Sequence, residues 1–136
     1  MRIMRTTARE TLFKLIYSAQ FTETVDNNLK SALLKSDLLN DDDRNYCERM
    51  LESIFINLGE LLATVDKHSI SFPENRIFPS DKAILLIALA EILYCEDIPD
   101  KVSMNEAANL ASKYSSEKSA SFITGILSAV SGGKNV

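Results

Sequence analysis

Apolar residues recur every three or four positions through most of the chain, the spacing that places side chains on one face of an α-helix. A first helix is predicted from a cap at Thr6 or Thr7 to about Phe21, because a threonine hydroxyl can accept from a free backbone N–H at a helix start. A short second helix is predicted around residues 29–34. The buried face of the first helix is predicted to comprise Ala8, Leu12, Leu15, Ile16 and Ala19.

The run Asn-Asp-Asp-Asp at residues 40–43 predicts the start of a third helix. Its asparagine can cap the helix, and its carboxylates suit the positive end of the helix dipole. Apolar residues then continue at helical spacing past Gly59. The pattern therefore predicts one long helix with a bend at that glycine.

The clearest candidate for a loop is the segment 67–80, which contains Pro73 and Pro79. Ser80 is predicted to cap the helix that follows, DKAILLIALAEILYC, which is apolar on nearly every side. A helix of that kind belongs at the centre of a core. The apolar side chains of the loop are predicted to turn inward: Phe72, Ile77 and Phe78.

The stretch DIPDKVSMNEAANLASKY at residues 97–114 predicts a proline turn followed by a helix start. Ser103 and Glu106 have the spacing of a capping box, in which each side chain bonds the other residue's backbone N–H. Ser115 or Ser116 is predicted to open the last helix. The pattern thus predicts an all-α fold of six or seven helices in one compact domain over residues 1–136. The sequence shows no internal repeat or linker.

The composition agrees with a globular domain, since 46% of the 136 residues are hydrophobic. The longest apolar run, AILLIALA at 83–90, is too short to cross a bilayer, and the first residues do not resemble a secretory signal. Cys47 and Cys95 lie far apart and form no CxxC motif. This usage is typical of a reduced, cytoplasmic protein.

The net charge of −4 argues against indiscriminate nucleic-acid binding over the whole surface. The charges are unevenly distributed, however. The first 14 residues contain four cations and one anion, whereas residues 37–60 contain seven acidic and two basic side chains. Such asymmetry indicates a localised anionic partner.

No set of residues typical of an active site is present. His68 is the only histidine and has no evident partner to orient it, so it is interpreted as an ordinary surface residue. Asp41, Asp42 and Asp43 lack the alternating ligands and the glycine of a calcium loop, which favours a helix cap. The sequence therefore predicts a protein that is not an enzyme, with no metal site and no cofactor.

Four residues of the first helix, Arg5, Arg9, Phe13 and Tyr17, follow one another at intervals of four and form one stripe. Arginine beside aromatic rings is suited to single-stranded RNA, because guanidinium binds phosphate and a ring stacks on a base. The alternative is that both rings belong to the core and both arginines are solvated. The spacing alone favours the alternative.

Two segments, TTARETLFKLIYS and DKAILLIALAEILYCEDIPDKVSMNEAANLASKYSSEKSASFITGIL, resemble motifs of the NusB family of bacterial transcription antitermination factors. The family opens with RRxARExALQxLY. Its later elements read KxxLRxAxYEL, DIPxKVAINEAVELAKKF and FVNGVLD. The resemblance extends over nearly the full length and is most specific in the segment around IPDKVSMNEAANLA.

This resemblance implies an all-helical fold of two subdomains. It also implies binding of boxA-type RNA together with NusE, a small ribosomal-subunit protein, within transcription elongation complexes on ribosomal RNA operons. Asp81 falls on an acidic family position near the NusE and RNA surfaces and is predicted to contact NusE. The predicted RNA-binding residues, transferred by motif, are Arg5, Arg9, Tyr17, Lys118 and Phe122.

The chain is less basic than the family pattern, since Thr6 and Thr7 stand where arginines are usual. Weak RNA binding by the protein alone and tighter binding with NusE are therefore predicted. If Arg5, Arg9 and Lys118 each meet one phosphate, the logarithm of the affinity should fall with the logarithm of the salt concentration at a slope of about −2. Replacing Arg9 by glutamate is predicted to weaken RNA binding and to leave NusE binding intact.

Two other functions are compatible with the same residues. The chain could be a free-standing relative of the NusB-like domain that positions RNA in certain ribosomal RNA methyltransferases. It could also be a structural homodimer that buries its aromatic stripe and binds no RNA. The sequence leaves open whether the protein is a monomer or a homodimer.

Overall fold

The computed structural model describes residues 5–69 and 77–134, in which the chain forms seven helices and no strand. The predicted all-α class is confirmed. The helices are α1 Thr6–Thr22, α2 Asn27–Leu34, α3 Asp41–Ile56, α4 Leu58–His68, α5 Pro79–Tyr94, α6 Asp100–Tyr114 and α7 Glu117–Gly133.

Helix α5 lies at the centre of the fold and packs against α1, α3, α4, α6 and α7. Its side chains are buried on every side, as its nearly all-apolar sequence predicts. The N-terminal helices α1 and α3 pack together on α5, and α6 and α7 pack together on it as well. One continuous hydrophobic core joins these helices, so α5 links elements from both halves of the chain.

Two predicted helix starts are confirmed. Asn40 caps α3, and its side chain accepts from the Asp43 N–H at 2.8 Å while Asp43 Oδ2 accepts from the Asn40 N–H at 3.2 Å. This reciprocal pair is a capping box. At α7, the Ser116 hydroxyl accepts from the Ser119 N–H at 3.1 Å.

The capping box predicted at Ser103 and Glu106 is wrong, because α6 begins one turn earlier, after Pro99. The Pro99 carbonyl accepts from the Ser103 N–H at 3.3 Å, which places Ser103 inside the helix. Asp100 supplies a carboxylate to the first turn, where the helix dipole favours it. Both Ser103 and Glu106 are buried, and their side chains serve interactions between helices.

The caps predicted for α1 and α5 are also wrong. Arg5 precedes α1 in the left-handed region, with φ 42° and ψ 40°, and Thr6 is already helical. Helix α5 begins at Pro79, so Ser80 lies within its first turn and Phe78 occupies the N-cap position. Proline suits the first helical position, because its fixed φ matches the helix and its missing N–H would have no partner there.

The long bent helix predicted around Gly59 is two helices that meet at Asn57. The Asn57 side chain donates from Nδ2 to the Ser53 carbonyl at 2.8 Å, and its backbone N–H donates to the same carbonyl at 3.0 Å. The Asn57 carbonyl then accepts from the Leu61 N–H at 2.9 Å in the first turn of α4. Asn57 has φ −103° and ψ 17°, outside the helical region, and its side-chain bond accompanies this departure from helical geometry.

The loop before α5 meets the core less fully than predicted. Ile77 is buried, as expected, but Phe78 is 71% exposed, so the prediction for Phe78 is wrong. Phe72 lies outside the described residues. At the other end of this connection, His68 is the last residue of α4, and its Nδ1 lies 2.9 Å from the Thr64 carbonyl oxygen. His68 is half-buried at a helix end and is not part of a polar loop.

The two cysteines should differ in reactivity. Cys47 is fully buried, and burial followed by the nearby charge of Asp43 raises its pKa to about 12. At pH 8 about 1 in 10,000 of such thiols is ionised, and only the thiolate is nucleophilic. Burial also raises the pKa of Cys95, but its side chain is only half-buried and a reagent can reach it. A thiol reagent applied to the native protein should therefore modify Cys95 and leave Cys47 unmodified. A Cys95→Ser variant should react only after unfolding, and rapid labelling of that folded variant would contradict the assignment.

Candidate nucleic-acid interface

Arg9 points into the protein and is only 2% exposed. Its Nε donates to Glu91 Oε2 at 2.7 Å, and its Nη2 donates to Glu91 Oε1 at 2.9 Å. Its Nη1 donates to Glu106 Oε1 at 3.3 Å. The guanidinium of α1 therefore forms a forked pair with α5 and a third contact with α6, a geometry that matches carboxylate well.

The two carboxylates bind further donors. Glu91 accepts from the Ser103 hydroxyl at 2.7 Å and from the Tyr46 hydroxyl. Glu106 accepts from the Thr6 hydroxyl at 2.7 Å. We call Arg9, Tyr46, Glu91, Ser103 and Glu106 the Arg9 cluster. It connects α1, α3, α5 and α6 through buried hydrogen bonds.

The charge states within the Arg9 cluster follow from its contacts. Burial alone lowers the pKa of Arg9, but the hydrogen bonds that Arg9 donates to Glu91, with the electrostatic interactions with Tyr46, Glu91 and Glu106, raise it above its ordinary value overall. Burial, followed by the charge of Glu91, holds the pKa of Tyr46 well above its ordinary value. Arg9 therefore stays cationic and Tyr46 stays a hydrogen-bond donor at neutral pH.

Arg5 is buried as well, with 3% of its surface exposed. Its guanidinium lies over the Tyr46 ring, 4.9 Å from the ring centroid, and its Nη2 lies 3.4 Å from Asp42 Oδ2. Neither arginine of the predicted stripe is presented to solvent. The Arg9 guanidinium is already engaged by buried carboxylates, which argues against a direct phosphate contact there, and the predicted RNA contact of Arg9 stays a prediction. The same burial argues against such a contact at Arg5.

The aromatic half of the stripe divides between core and surface. Phe13 is buried and stacks on Tyr114 with ring centroids 4.6 Å apart. Tyr17 is 40% exposed and stacks on Phe13 at 5.9 Å. Phe21 is 64% exposed and meets Tyr17 edge-on at 5.2 Å. The question left open by the sequence is thus resolved: Phe13 belongs to the core, and Tyr17 lies at the surface.

Asp81 fixes the start of α7. Its Oδ1 accepts from the Ser115 hydroxyl at 2.7 Å, and its Oδ2 accepts from the Ser119 hydroxyl at 2.8 Å. The carboxyl group is buried and both oxygens are engaged, so a direct contact with a partner stays a prediction. Lys118 is exposed and Phe122 is half-buried on the first turns of the helix that Asp81 holds.

Two cavities connect the surface residues of α1 with those of α7. Phe13, Tyr17 and Tyr114 line a cavity of about 440 Å³ together with Phe78. Phe78 also lines a second cavity of about 330 Å³, whose other walls include Asp81, Lys118 and Phe122. We call Tyr17, Phe78, Lys118 and Phe122 the aromatic face.

The structure therefore brings together three of the predicted RNA-binding residues, Tyr17, Lys118 and Phe122, and separates them from Arg5 and Arg9. Two features of the site were not anticipated from the sequence. Phe78 is apolar and is therefore predicted to turn inward, yet it lies at the surface. Glu91 carried a usable signal, since a carboxylate within an otherwise apolar helix requires a buried cationic or hydrogen-bonding partner.

Within the described ranges, no group of three or more His, Cys, Asp or Glu side chains is arranged to hold a metal ion. In the same part of the chain, no helix has both the length and the apolar character needed to cross a membrane.

These features define a class of protein: an all-α domain whose central helix is almost wholly buried and whose aromatic face lies between α1, α5 and α7. Residues 6–132 match the family model of the NusB family. The chain belongs to the NusB family.

Individual relatives agree with this assignment. The chain is 35% identical over 125 residues to the transcription antitermination protein NusB of Agathobacter rectalis, which covers 90% of this chain and 95% of that protein. It is 38% identical over 127 residues to the transcription antitermination protein NusB of Acetivibrio thermocellus, covering 93% of this chain and 87% of that one. The same fold is found in a chain of the crystal structure of the antitermination factors NusB and NusE in complex with dsRNA. The TM-score is 0.86 at 21% identity, and the match covers 98% of this chain and 99% of that chain.

Proposed function

We propose that the protein is a transcription antitermination factor that binds boxA-type RNA together with NusE in a cytoplasmic transcription elongation complex on ribosomal RNA operons. The names of its relatives support the antitermination role. The structurally similar complex supports NusE and RNA as partners, since it contains NusB, NusE and dsRNA. The proposed role is binding and assembly, with no catalytic step.

The observation that carries the proposal is the aromatic face. Tyr17 and Phe122 come from helices at opposite ends of the chain, and Phe78 connects the cavities that they line. Exposed rings stack on bases of single-stranded RNA, and a nearby lysine binds phosphate. Lys118 lies in the first turn of α7, where the helix dipole also favours an anion.

The buried residues act indirectly in this proposal. Arg9 fixes α1 to α5 and α6, which sets the position of Tyr17. Asp81 fixes α7 to the start of α5, which sets the position of Lys118 and Phe122. We therefore assign Arg9 and Asp81 as positioning residues of the proposed RNA site.

The electrostatic part of RNA binding should be small. With Arg5 and Arg9 buried, the exposed cations nearest the aromatic face along the chain are Lys14 on α1 and Lys118 on α7. If each meets one phosphate, the salt slope should be about −1.4, shallower than the −2 predicted from the sequence. RNA binding by the protein alone should be weak, and NusE should tighten it by adding contacts of its own.

The test is a salt titration of the binding of a boxA-type RNA oligonucleotide, with and without NusE. Lys118→Gln should make the slope shallower by about 0.7. Lys30→Gln should leave the slope unchanged, because Lys30 pairs with Glu48 on the α2–α3 side at 2.6 Å. If the protein binds no RNA either with or without NusE, the proposal is contradicted and a structural homodimer is favoured. RNA binding that NusE does not affect would favour a free-standing RNA-positioning module.

A further inference from the structure

Phe78 is the most exposed aromatic ring described in the chain, with 71% of its surface accessible. Its neighbour Ile77 is buried, so the chain enters the core immediately before this ring and turns it outward. Large exposed apolar side chains that adjoin other exposed rings mark binding surfaces more often than single scattered ones do. The exposed position of Phe78 beside Tyr17 therefore indicates a binding surface.

The backbone that carries this ring is fixed. The Phe78 carbonyl accepts from the Lys82 N–H at 2.9 Å in the first turn of α5, and Pro79 follows at the first helical position. The Pro79 carbonyl accepts from Gln20 Nε2 of α1 at 2.8 Å. Asp81, two residues further on, holds the start of α7. The turn is thus fastened to the helix of Tyr17 on one side and to the helix of Phe122 on the other.

The ring also forms a wall common to two concave spaces. One space, of about 440 Å³, is lined by Tyr17, and the other, of about 330 Å³, is lined by Lys118 and Phe122. Both volumes are at the lower end of the range for small-molecule sites, about 300–1,000 Å³. Each space is therefore large enough for a planar group the size of a base, and Phe78 contributes to the wall of both.

We propose that Phe78 is a third base-stacking residue of the RNA site and joins the Tyr17 half of the aromatic face to its Phe122 half. This inference rests on the proposed function. A strand that runs from Tyr17 to Phe122 passes over Phe78, and Lys118 lies beside the second cavity to meet the backbone. Because the phenylalanine ring offers no hydrogen bond, it contributes to affinity for any base and not to the choice of base.

A fluorescence experiment tests the contact directly. The chain contains no tryptophan, so a Phe78→Trp variant carries a single indole fluorophore. Addition of a boxA-type RNA oligonucleotide in the presence of NusE should quench its emission, because a stacked base quenches indole. A Leu38→Trp variant is the matched control, since Leu38 is 77% exposed and lies in the α2–α3 connection. Its emission should not change.

Affinity measurements complete the test. Phe78→Ala should weaken RNA binding about tenfold, and Phe78→Tyr should bind within about twofold of the wild type, because base–aromatic stacking depends on the ring. Leu38→Ala should bind as the wild type does. Quenching by NusE without RNA would overturn the inference and place the ring in a protein interface. If the wild type binds RNA, but Phe78→Trp shows no quenching and Phe78→Ala binds as tightly as the wild type, the inference is overturned and the proposed function stands. If the wild type binds no RNA, both are overturned.

Discussion

Replacement of Arg9 by methionine is expected to lower the free energy of unfolding by about 3–5 kcal/mol, because it leaves two buried carboxylates without their cation. Glu91 is fully buried and Glu106 is 2% exposed, so both carboxylates depend on the guanidinium and not on bulk solvent for charge compensation in the native fold. In the variant, Glu91 would still accept from the Ser103 hydroxyl and Glu106 from the Thr6 hydroxyl. These neutral donors do not neutralise the charge of the carboxylates. The expected loss of stability is large because the Arg9 cluster is buried, and not because of the number of ion pairs that Arg9 forms.

Denaturant unfolding followed by circular dichroism measures this change. Lys30→Met is the matched control, since it removes one cation from an ion pair in which the partner Glu48 is 52% exposed. It should shift stability by less than about 1 kcal/mol. Adding Glu91→Gln to Arg9→Met should recover part of the loss by removing one unpaired charge. Equal effects of Arg9→Met and Lys30→Met would show that Arg9 is not held in the Arg9 cluster.

The same geometry changes the expected consequence of Arg9→Glu for RNA. The sequence predicts a direct loss of phosphate binding. The structure instead places a third carboxylate beside Glu91 and Glu106, so the principal expected result is loss of the folded protein. A reduced RNA affinity in that variant would report the unfolded fraction. The stability of each Arg9 variant must therefore be known before its RNA binding is interpreted.

The helices themselves were predictable because apolar periodicity is a local property. The spacing in α1 and α3 and the all-apolar run of α5 each predict a helix without knowledge of the partner. The caps at Asn40 and Ser116 were also correct, since in both cases the polar residue directly precedes the helix.

Other local patterns were ambiguous in ways that only the fold resolves. Ser103 and Glu106 have capping-box spacing, yet the same spacing inside a helix places both on one buried face. Pro99, four residues before Ser103, determined where the helix begins. Phe78 shows the opposite error, since hydrophobicity alone predicted burial for a ring that the start of α5 turns outward.

The candidate site could be predicted only in part, because local spacing does not show which residues of a helix are exposed. A four-residue interval predicts that Arg5, Arg9, Phe13 and Tyr17 lie along one line of a helix, but it does not say which end of that line faces solvent. In the structure, Arg5 precedes α1 and only the other three residues lie on it. That choice depends on Glu91, which is 82 residues from Arg9 in sequence. The family motif predicts RNA contacts at Tyr17, Lys118 and Phe122, and the fold brings these three residues to one face. The contacts themselves stay a prediction. The motif also does not distinguish a residue that would position the proposed site from one that would contact the RNA.

Simultaneous replacement of Tyr17 and Phe122 by alanine is expected to lower affinity for boxA-type RNA by about 25-fold or more. Each stacked base contributes about 1–3 kcal/mol by alanine substitution, or roughly 5- to 150-fold. The two rings lie on different helices, α1 and α7, and line different cavities. Their separate effects should therefore add to within about 0.5 kcal/mol.

Binding of the oligonucleotide by the two single variants and the double variant, each with NusE present, measures both quantities. Tyr94→Ala is the matched control, because Tyr94 is 38% exposed, close to the 40% of Tyr17, and its hydroxyl contacts Glu60 on α4, away from the aromatic face. It should bind RNA as the wild type does. Circular dichroism must show all four variants folded, since Phe122 is half-buried and Tyr17 supports the buried ring of Phe13. If the folded double variant kept wild-type affinity, base stacking on these rings would be excluded, and the RNA would have to bind elsewhere on the protein.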